Sequence, residues 1–563
     1  MSISLRPAAV SLHAPSSRDW ILVVGVALLA SLPLLVYGAP FVGDLLHHYR
    51  TVWAFYDSIL NGNFYPSWHP GTNDGYGDVS VRFYPPGIYY ILCIARLLTR
   101  DWFFASLLSG ILLTTLGSVG MYYWARSFVS HYYALAAGLL FMLAPFHANE
   151  LYQAGMYGQY AAVNVLPFAF AFADRIIHGG RARNVAGLSA SYGLIILLNV
   201  PVAVLGSMAI ALYSLVRLFQ SFKLTALYQL VTGALLGATL SCFYWLPVLR
   251  ELKWKFPSGA GQGEWYNYNN NFLFQTSPSI MANYILPLLA SATLAMSIPA
   301  TILLLKKDKK ALAPALVALF GFFMSTRLSK PVWQLSAALQ ETQFPWRWMT
   351  ITSLCLSLLV TLSLPELYSL RLTRWRPLSL ALIGLVLIAL SFTILQLIRG
   401  ASLFHRVDFN AKVQLEKGTP TNTDFLPVWA RGKARSMKTE VEVPQRTVTV
   451  NDWSPERKAF TIESGPETEA RLKLYYYPYW LAQANGQQLA TRPADDGALL
   501  VRVPKDRSEV VVKFTEPKSS FISGVVSACA LLVIIVLWIF GGRFRSKPMP
   551  EEADSYATAS FAS

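Results

Sequence analysis

The chain has 563 residues, of which 54% are hydrophobic and only 14% are charged, and its mean hydropathy is +0.39. Soluble proteins carry about 25% charged residues, so this composition excludes an ordinary soluble protein and indicates a multi-pass membrane protein. The formal net charge is +16. This charge does not indicate nucleic-acid binding, because no basic stretch is interleaved with an aromatic platform and because Lys and Arg accumulate on the cytoplasmic loops of membrane proteins.

Apolar runs recur along the chain, and a membrane helix needs about 20 such residues. The sequence predicts an all-α polytopic membrane bundle of about 12 transmembrane helices. Clusters of Lys and Arg fall between alternate spans, so they can all face the cytoplasm together. This arrangement predicts that both termini are cytoplasmic. The predicted spans are 20–39, 103–124, 131–147, 157–174, 184–199, 201–219, 225–248, 281–305, 311–326, 348–366, 377–398 and 520–540.

The first candidate for chemistry is Asp44, which closely follows the first apolar run. A carboxylate at the water edge of a membrane span is costly to desolvate, so it usually has a function or a partner. We predict that Asp44 is a catalytic general base, or a ligand for a divalent metal ion that activates an acceptor hydroxyl or amine. The alternative is that Asp44 caps the amphipathic helix that starts there, a position that Asp favours.

The predicted outer loop 40–102 carries His48 and Tyr84 as candidate substrate-binding residues. Asp44 and His48 are four residues apart and can share a helix face, which allows a metal site; ordinary hydrogen bonds at the interface are the alternative. Tyr84 belongs to a set of aromatic side chains that either stack on sugar rings or isoprenoid tails, or reflect the enrichment of Tyr and Trp at membrane interfaces.

Segment 86–99, in the same loop, is apolar but short. If it crossed the membrane, every later basic cluster would face outward. It is therefore predicted to be re-entrant or to lie along the outer interface.

His147 and Glu150 end another predicted span on the same side of the membrane. A second carboxylate near Asp44 would permit a shared metal ion or paired acid–base work, so Glu150 is a second candidate catalytic residue. The alternative is a solvated loop charge. The sequence leaves the identity of any metal ion unknown.

Arg327, Lys330 and Arg347 are predicted on the outer side, where they depart from the positive-inside trend. A guanidinium can hold a phosphate through two hydrogen bonds, so these cations are candidate anion-binding residues. Anchoring to lipid headgroups or an internal pair with Glu341 are the alternatives. The position of Arg347, just where a predicted helix re-enters the membrane, favours phosphate binding.

The composition changes near residue 400. Polar and apolar side chains alternate over 446–450 and 509–514, and Asn485-Gly486 is a turn signal. These patterns predict a small extracytoplasmic antiparallel β domain before the last helix. The predicted organisation is a transmembrane domain over 1–399, the β domain over 400–518, a final transmembrane helix over 519–541 and a disordered cytoplasmic tail over 542–563.

A first span, an outer Asp, an aromatic loop and Tyr84-Pro85-Pro86 before an interface helix resemble the GT-C superfamily, membrane glycosyltransferases that use polyprenyl-phosphate-linked sugars. More closely, the chain resembles bacterial multi-pass proteins labelled 6-pyruvoyl-tetrahydropterin synthase-related, near relatives of the YfhO-like membrane proteins; the label does not imply pterin chemistry. The motifs that carry the resemblance are Phe64-Tyr65-Pro66-Ser67-Trp68, Gly75-Tyr76-Gly77, Phe83-Tyr84-Pro85-Pro86, Phe243-Tyr244-Trp245-Leu246-Pro247, Met324-Ser325-Thr326, Gln343-Phe344-Pro345-Trp346-Arg347, Asp424-Phe425-Leu426-Pro427-Val428-Trp429 and Tyr476-Tyr477-Pro478-Tyr479-Trp480.

The resemblance implies a GT-C-like fold in a bacterial plasma (inner) membrane. It also implies sugar transfer from a polyprenyl-phosphate-linked donor to an extracytoplasmic glycan, lipid or protein acceptor, with Asp44 as the catalytic acid of the outer loop. The expected partners are this donor, a cell-envelope acceptor and membrane lipids, with no nucleic acid. Two other functions stay open: a multi-pass transporter or lipid flippase, and a cell-envelope scaffold without catalysis.

Overall fold

The computed structural model describes residues 17–256, 263–276, 309–371, 395, 397–419, 425–430 and 437–541. These ranges form a helical bundle, two antiparallel sheets of four and five strands, and a two-stranded antiparallel sheet. The helices are α1 (Ser17–Ala30), α2 (Leu32–Tyr37), α3 (Leu45–Leu60), α4 (Ser80–Phe83), α5 (Gly87–Thr99), α6 (Trp102–Ala125), α7 (His131–Met142), α8 (Pro145–Tyr152), α9 (Tyr157–Gly179), α10 (Ala182–Leu198), α11 (Val200–Gln220), α12 (Leu224–Leu240), α13 (Cys242–Glu251), α14 (Leu312–Ser325), α15 (Lys330–Gln334), α16 (Ala337–Gln340), α17 (Met349–Arg371), α18 (Arg406–Glu416) and α19 (Lys518–Phe540).

Five helices in the described part of the chain are long and apolar enough to cross a membrane, or up to seven if each of two bent pairs forms one span. The predicted number of twelve is not confirmed. Predicted span 281–305 and nearly all of 377–398 lie outside the described residues. The five long apolar segments are Trp102–Ala125, Tyr157–Gly179, Val200–Gln220, Pro345–Pro365 and Lys518–Phe540.

Two of the predicted spans are bent. Helices α7 and α8 meet at 48°, and the turn between them precedes Pro145, which lacks the amide hydrogen that a continuous helix requires. The preceding Ala144 has an extended ψ of 128°, as expected of a residue before proline. Helices α12 and α13 meet at 69°. Both bends place short helices across one end of the bundle.

Segment 86–99 contains α5, a helix of 13 residues that is too short to be counted among the spans. It packs against α3 and α6. Its aromatic side chains therefore reach the same end of the bundle as α3, where the predicted site begins.

The described C-terminal part contains two antiparallel sheets, with strand orders β3-β6-β10-β9 and β4-β5-β11-β7-β8. In β11, Ser508, Val510, Val512 and Phe514 are buried, whereas Glu509 and Lys513 are exposed and Val511 is half-buried. The predicted alternation is thus confirmed in this strand. The strands are β3 (Val441–Glu442), β4 (Val448–Ser454), β5 (Arg457–Ile462), β6 (Thr468–Tyr475), β7 (Trp480–Ala484), β8 (Gln487–Leu489), β9 (Thr491–Pro493), β10 (Ala498–Val503) and β11 (Ser508–Phe514).

Two contacts tie the first loop to later parts of the chain. Strand β1 (Ala39–Pro40) pairs with β2 (Leu403–Phe404), so the end of the first apolar run is hydrogen-bonded to a distant segment. Farther along the loop, the Trp68 ring is buried and lies edge-on to Trp480, with 5.5 Å between the ring centroids. The loop is therefore held between the bundle and the sheets.

Candidate active site

A cavity of about 390 Å³ lies where the first loop, the ends of several helices and the segment before α17 meet. Its volume falls in the range of small-molecule sites, about 300–1,000 Å³. Four predicted site residues line it: Asp44, His48, Tyr84 and Arg347. The other lining residues are His47, Thr51, Phe83, Pro85, Tyr89, Met156, Gln159, Asn199, Val200, Pro201, Tyr244, Val248, Leu252, Lys255, Tyr266, Glu341, Gln343, Phe344 and Phe425.

Two glycines place Asp44 in the cavity wall. Gly43 has a left-handed φ of 53°, and a Cβ atom there would lie 2.0 Å from the carbonyl oxygen of Ala154. Gly155 has a φ of 61°, and its Cβ would lie 2.0 Å from the carbonyl oxygen of Val42. The amide of Asp44 donates to the Ala154 carbonyl at 3.2 Å. Only glycine tolerates both the close approach and the positive φ, so this contact sets where Asp44 stands.

Asp44 occupies the position before α3, but its side chain makes no capping hydrogen bond. Asp44 therefore holds the N-cap position that the alternative interpretation gave it, but its side chain does not cap the helix. Asp44 is exposed to the cavity, and the protein that forms the cavity walls surrounds its side chain. Burial raises the pKa of Asp44 above its ordinary value, and the positive charges of Arg347 and His47 oppose that rise. Within the described residues, the Asp44 carboxylate forms no ion pair within 4.0 Å. A carboxylate with a raised pKa is suited to accept a proton.

Arg347 lies on the turn Pro345–Trp348, directly before α17. Its side chain is 8% exposed, and Nη1 donates to the carbonyl oxygen of Thr342 at 2.6 Å. The guanidinium lies 4.8 Å from the centroid of the Phe344 ring. Within the described structure its buried Nε has no hydrogen-bond partner. The cation is thus held in place with donor capacity left for a ligand.

His48 and Tyr84 differ from Asp44 in the protonation states that they favour. Burial, with a smaller effect of His47, lowers the pKa of His48 to about 3, so this imidazole is neutral at physiological pH. Its ring lies edge-on to Tyr84 at 5.2 Å. Burial, followed by the negative charge of Asp44, raises the pKa of Tyr84. The Tyr84 hydroxyl therefore stays protonated and can act as a hydrogen-bond donor.

Two of the three predicted anion-binding cations lie outside the cavity. Arg327 is exposed and Lys330 is half-buried, and neither lines the wall, whereas Arg347 does. Glu341, the alternative partner of these cations, lines the cavity too. The structure thus brings one guanidinium, not a cluster of three cations, to Asp44.

Glu150 is fully buried, so its interpretation as a solvated loop charge is wrong. It does not line the cavity but lies behind the wall. Its Oε1 accepts hydrogen bonds from Gln159 Nε2 at 2.6 Å and from Thr350 Oγ1 at 2.7 Å. Its Oε2 lies 3.4 Å from His147 Nδ1. Glu150 therefore reaches the cavity through Gln159, which does line it.

The described residues contain no group of three or more His, Cys, Asp and Glu side chains placed to hold a metal ion. Asp44, His47 and His48 line the same cavity, but His48 points its Nε2 at the backbone amide of Gly158, 3.5 Å away. The arrangement brings a carboxylate and a guanidinium to one cavity.

Several lining residues were not predicted as site residues. Lys255 brings a second cation to the wall. Gln343 also lines the wall, and its backbone has an unusual left-handed φ of 65°. Tyr244 donates from its hydroxyl to the carbonyl oxygen of Phe83 at 2.9 Å, which joins α13 to the loop. Tyr244 and Gln343 belong to motifs that carry the family resemblance, and these motifs could have indicated them as site residues. No sequence motif indicated Lys255.

The family model described as "6-pyruvoyl-tetrahydropterin synthase related domain; membrane protein" matches residues 81–400. A search of curated proteins returns no match. Among solved structures, the arabinofuranosyltransferase AftD from Mycobacteria matches with a TM-score of 0.47 and 14% identity over 70% of this chain and 27% of its own. ArnT from Cupriavidus metallidurans, bound to undecaprenyl phosphate, matches with a TM-score of 0.43 and 15% identity over 71% of this chain and 76% of its own.

The oligosaccharyltransferase from Archaeoglobus fulgidus matches with a TM-score of 0.43 and 12% identity over 75% of this chain and 62% of its own. The chain thus spans about a quarter of the length of the mycobacterial protein and more than half of the other two.

Proposed function

We propose that this chain, which belongs to the 6-pyruvoyl-tetrahydropterin synthase related family of membrane proteins, transfers a sugar from a polyprenyl-phosphate-linked donor to an acceptor in the cell envelope. One observation carries the proposal: Asp44 and Arg347 line the same cavity. A proton acceptor and a fixed guanidinium are the two groups that such a transfer needs, one for the acceptor hydroxyl and one for the phosphate.

The two charged groups line one cavity without pairing. In the described structure no ion pair within 4.0 Å joins Asp44 and Arg347. Arg347 is instead anchored by Thr342 and Phe344. We infer that the substrate binds in this cavity, with its acceptor group at Asp44 and its phosphate at Arg347. Because Arg347 is already held in place, it needs no rearrangement when the phosphate binds.

The proposed step is a single displacement. Asp44 takes the proton from an acceptor hydroxyl or amine while the acceptor oxygen or nitrogen bonds to the anomeric carbon. The bond between that carbon and the phosphate oxygen breaks, and its electron pair leaves with the polyprenyl phosphate. Arg347 stabilises the negative charge that the leaving phosphate gains. Attack opposite to the leaving group inverts the anomeric configuration.

We place the cavity on the extracytoplasmic side of a bacterial plasma membrane. Helices α9 and α11 begin at the cavity, with Gln159 and Val200 in its wall, and carry Arg175 and Arg217 near their opposite ends. Lys and Arg are enriched at cytoplasmic ends of membrane helices, which puts the cavity end outside. A lipid-linked donor can then approach from the bilayer and an acceptor from the aqueous side.

The test is sugar transfer by the purified protein in lipid nanodiscs, with a panel of radiolabelled polyprenyl-phosphate pentoses and hexoses and with water or envelope glycans as acceptors. With the donor that the wild type uses, Asp44→Asn is expected to lower kcat by about 10²–10⁴-fold, since it removes the general base. Arg347→Gln is expected to lower kcat by about 10²–10³-fold, since it removes charge stabilisation of the leaving group.

Arg327→Gln is the matched control, because it removes an exposed cation outside the cavity. It should keep wild-type turnover. If Asp44→Asn remains folded and turns over donor at the wild-type rate, or if Arg327→Gln and Arg347→Gln lose activity equally, the assignment of the site is refuted. If the wild type transfers no sugar from any donor in the panel, the proposed activity itself fails.

A further inference from the structure

A second cavity, of about 590 Å³, lies between α4, α13 and the start of α19. Of its lining residues only Val248 also belongs to the candidate active site. One end is polar and carries Arg82, Glu251 and Glu516; the other is apolar and includes Phe243 and Leu531. A cavity with these two ends matches an amphiphilic molecule.

At the polar end, two carboxylates surround one guanidinium. Arg82 Nε and Nη2 donate to Glu251 at 2.8 and 2.7 Å. Arg82 Nη1 and Nη2 also donate to Glu516, the second at 3.2 Å. Glu251 accepts a further hydrogen bond from Tyr477 at 2.6 Å, and Glu516 one from Ser67 at 2.7 Å. Arg82 thus uses Nε and both terminal nitrogens on these two carboxylates.

The charges in this cluster do not cancel. Burial alone would raise the pKa of Glu516, but the Arg82 guanidinium lowers it overall, so Glu516 is ionised. One cation against two carboxylates leaves a formal charge of −1. The cations next to them in the sequence, Arg250 and Lys518, are exposed and do not line the cavity. The side chain of Glu516 is 38% exposed and lines the cavity, so the excess negative charge is open to a ligand and attracts a cationic group.

The cluster also lies next to the start of a candidate membrane span. Glu516 comes two residues before α19, the most apolar span of the described chain, with a mean hydropathy of 2.7. Only 22% of that apolar window is buried inside the protein, and Phe521 is 75% exposed. The apolar end of the cavity therefore continues onto a surface that faces acyl chains.

We propose that this second cavity binds a phospholipid with a primary ammonium headgroup, such as phosphatidylethanolamine. The ammonium group lies against Glu516, whose side chain is 38% exposed, and donates hydrogen bonds to it. The acyl chains follow the groove between α13 and α19. This site is independent of the proposed sugar transfer, because its charged residues do not line the reaction cavity.

The experiment is native mass spectrometry of the full-length protein released from nanodiscs that contain equal amounts of phosphatidylethanolamine, phosphatidylcholine and phosphatidylglycerol with identical acyl chains. The wild type is expected to retain phosphatidylethanolamine about tenfold over the other two, the discrimination expected of one charge-assisted hydrogen bond. Glu516→Gln should abolish this preference. Glu509→Gln, which makes the same charge change at an exposed position of β11, should keep it.

Gly524→Leu provides a second variant that leaves every charge in place. Gly524 lines the cavity, and a Cβ atom there has no heavy atom within 4 Å, so a side chain can begin at this position without a clash and a leucine reduces the free space of the cavity. This variant is expected to lower retention of the lipid while the protein keeps its thermal stability. Equal retention of the three lipids by the wild type, or an unchanged preference in both Glu516→Gln and Gly524→Leu, would overturn the proposal.

Discussion

Replacing Arg82 by methionine tests how the first loop is fastened to the rest of the molecule. Arg82 is 6% exposed and Glu251 is 1% exposed, and the two share a bidentate contact. Arg82→Met leaves the Glu251 carboxylate buried with Tyr477 as its remaining donor. Loss of one partner of a buried ion pair costs about 3–5 kcal/mol. The contact to Glu516 adds little, about 0–1 kcal/mol, because that side chain is 38% exposed.

The comparison with two further variants separates charge from packing. Glu251→Gln should cost less, about 1–3 kcal/mol, because Arg82 still pairs with Glu516. The double variant Arg82→Met/Glu251→Gln should be more stable than Arg82→Met alone, since it removes the stranded carboxylate. Stability is measured as the thermal unfolding midpoint of the detergent-purified proteins at one scan rate, because unfolding of such proteins is often irreversible.

A double variant whose loss equals the sum of the two single losses would refute this reasoning, since the two side chains would then contribute independently.

Three further predictions concern the cavity. Turnover should rise with pH, and the midpoint of this rise should lie above 3.8, the ordinary pKa of an Asp. The reason is that Asp44 must be ionised to accept a proton and that burial raises its pKa. A midpoint at or below 3.8 would contradict this prediction. Gly43→Ala should destabilise the protein by about 1–3 kcal/mol or more, and by more than Gly62→Ala does. Both glycines have a positive φ, but only Gly43 contacts the Ala154 carbonyl. Equal unfolding midpoints of the two variants would show that this close contact does not matter for stability. Gln343→Gly should not lower the unfolding midpoint, because glycine adopts the left-handed φ of 65° without strain. It should lower turnover, because it removes a side chain that lines the cavity. Unchanged turnover would show that this side chain has no part in the reaction.

Apolar composition predicted the position of the long helices well, because hydrocarbon demands a continuous run of apolar residues. The prediction ended the fourth span at residue 174, where charged residues begin, whereas α9 continues to Gly179. In the structure Asp174 is buried and forms an ion pair with Arg217 Nε of α11 at 2.9 Å. The local sequence around residue 174 gives no sign of this partner, so the pattern predicted an end of the helix there.

The site was predicted in part for a similar reason. A charge at the end of a span indicates which side of the membrane it lies on, so Arg327 and Arg347 gave the same signal. The direction in which each side chain points depends on the turn that carries it, and only Arg347 faces the cavity. Lys255 and Phe425 reach that wall from segments far apart in sequence, and their arrival depends on tertiary packing.

The pairing of Ala39–Pro40 with Leu403–Phe404 has a consequence for biosynthesis. The ribosome delivers the stretch that leads to Asp44 early, but its backbone partner emerges only after most of the polypeptide has been inserted. Phe425, also in the cavity wall, emerges later still. A nascent chain that stops before Phe425 therefore lacks part of the cavity wall, and the pocket can be completed only late in synthesis of the 563-residue chain.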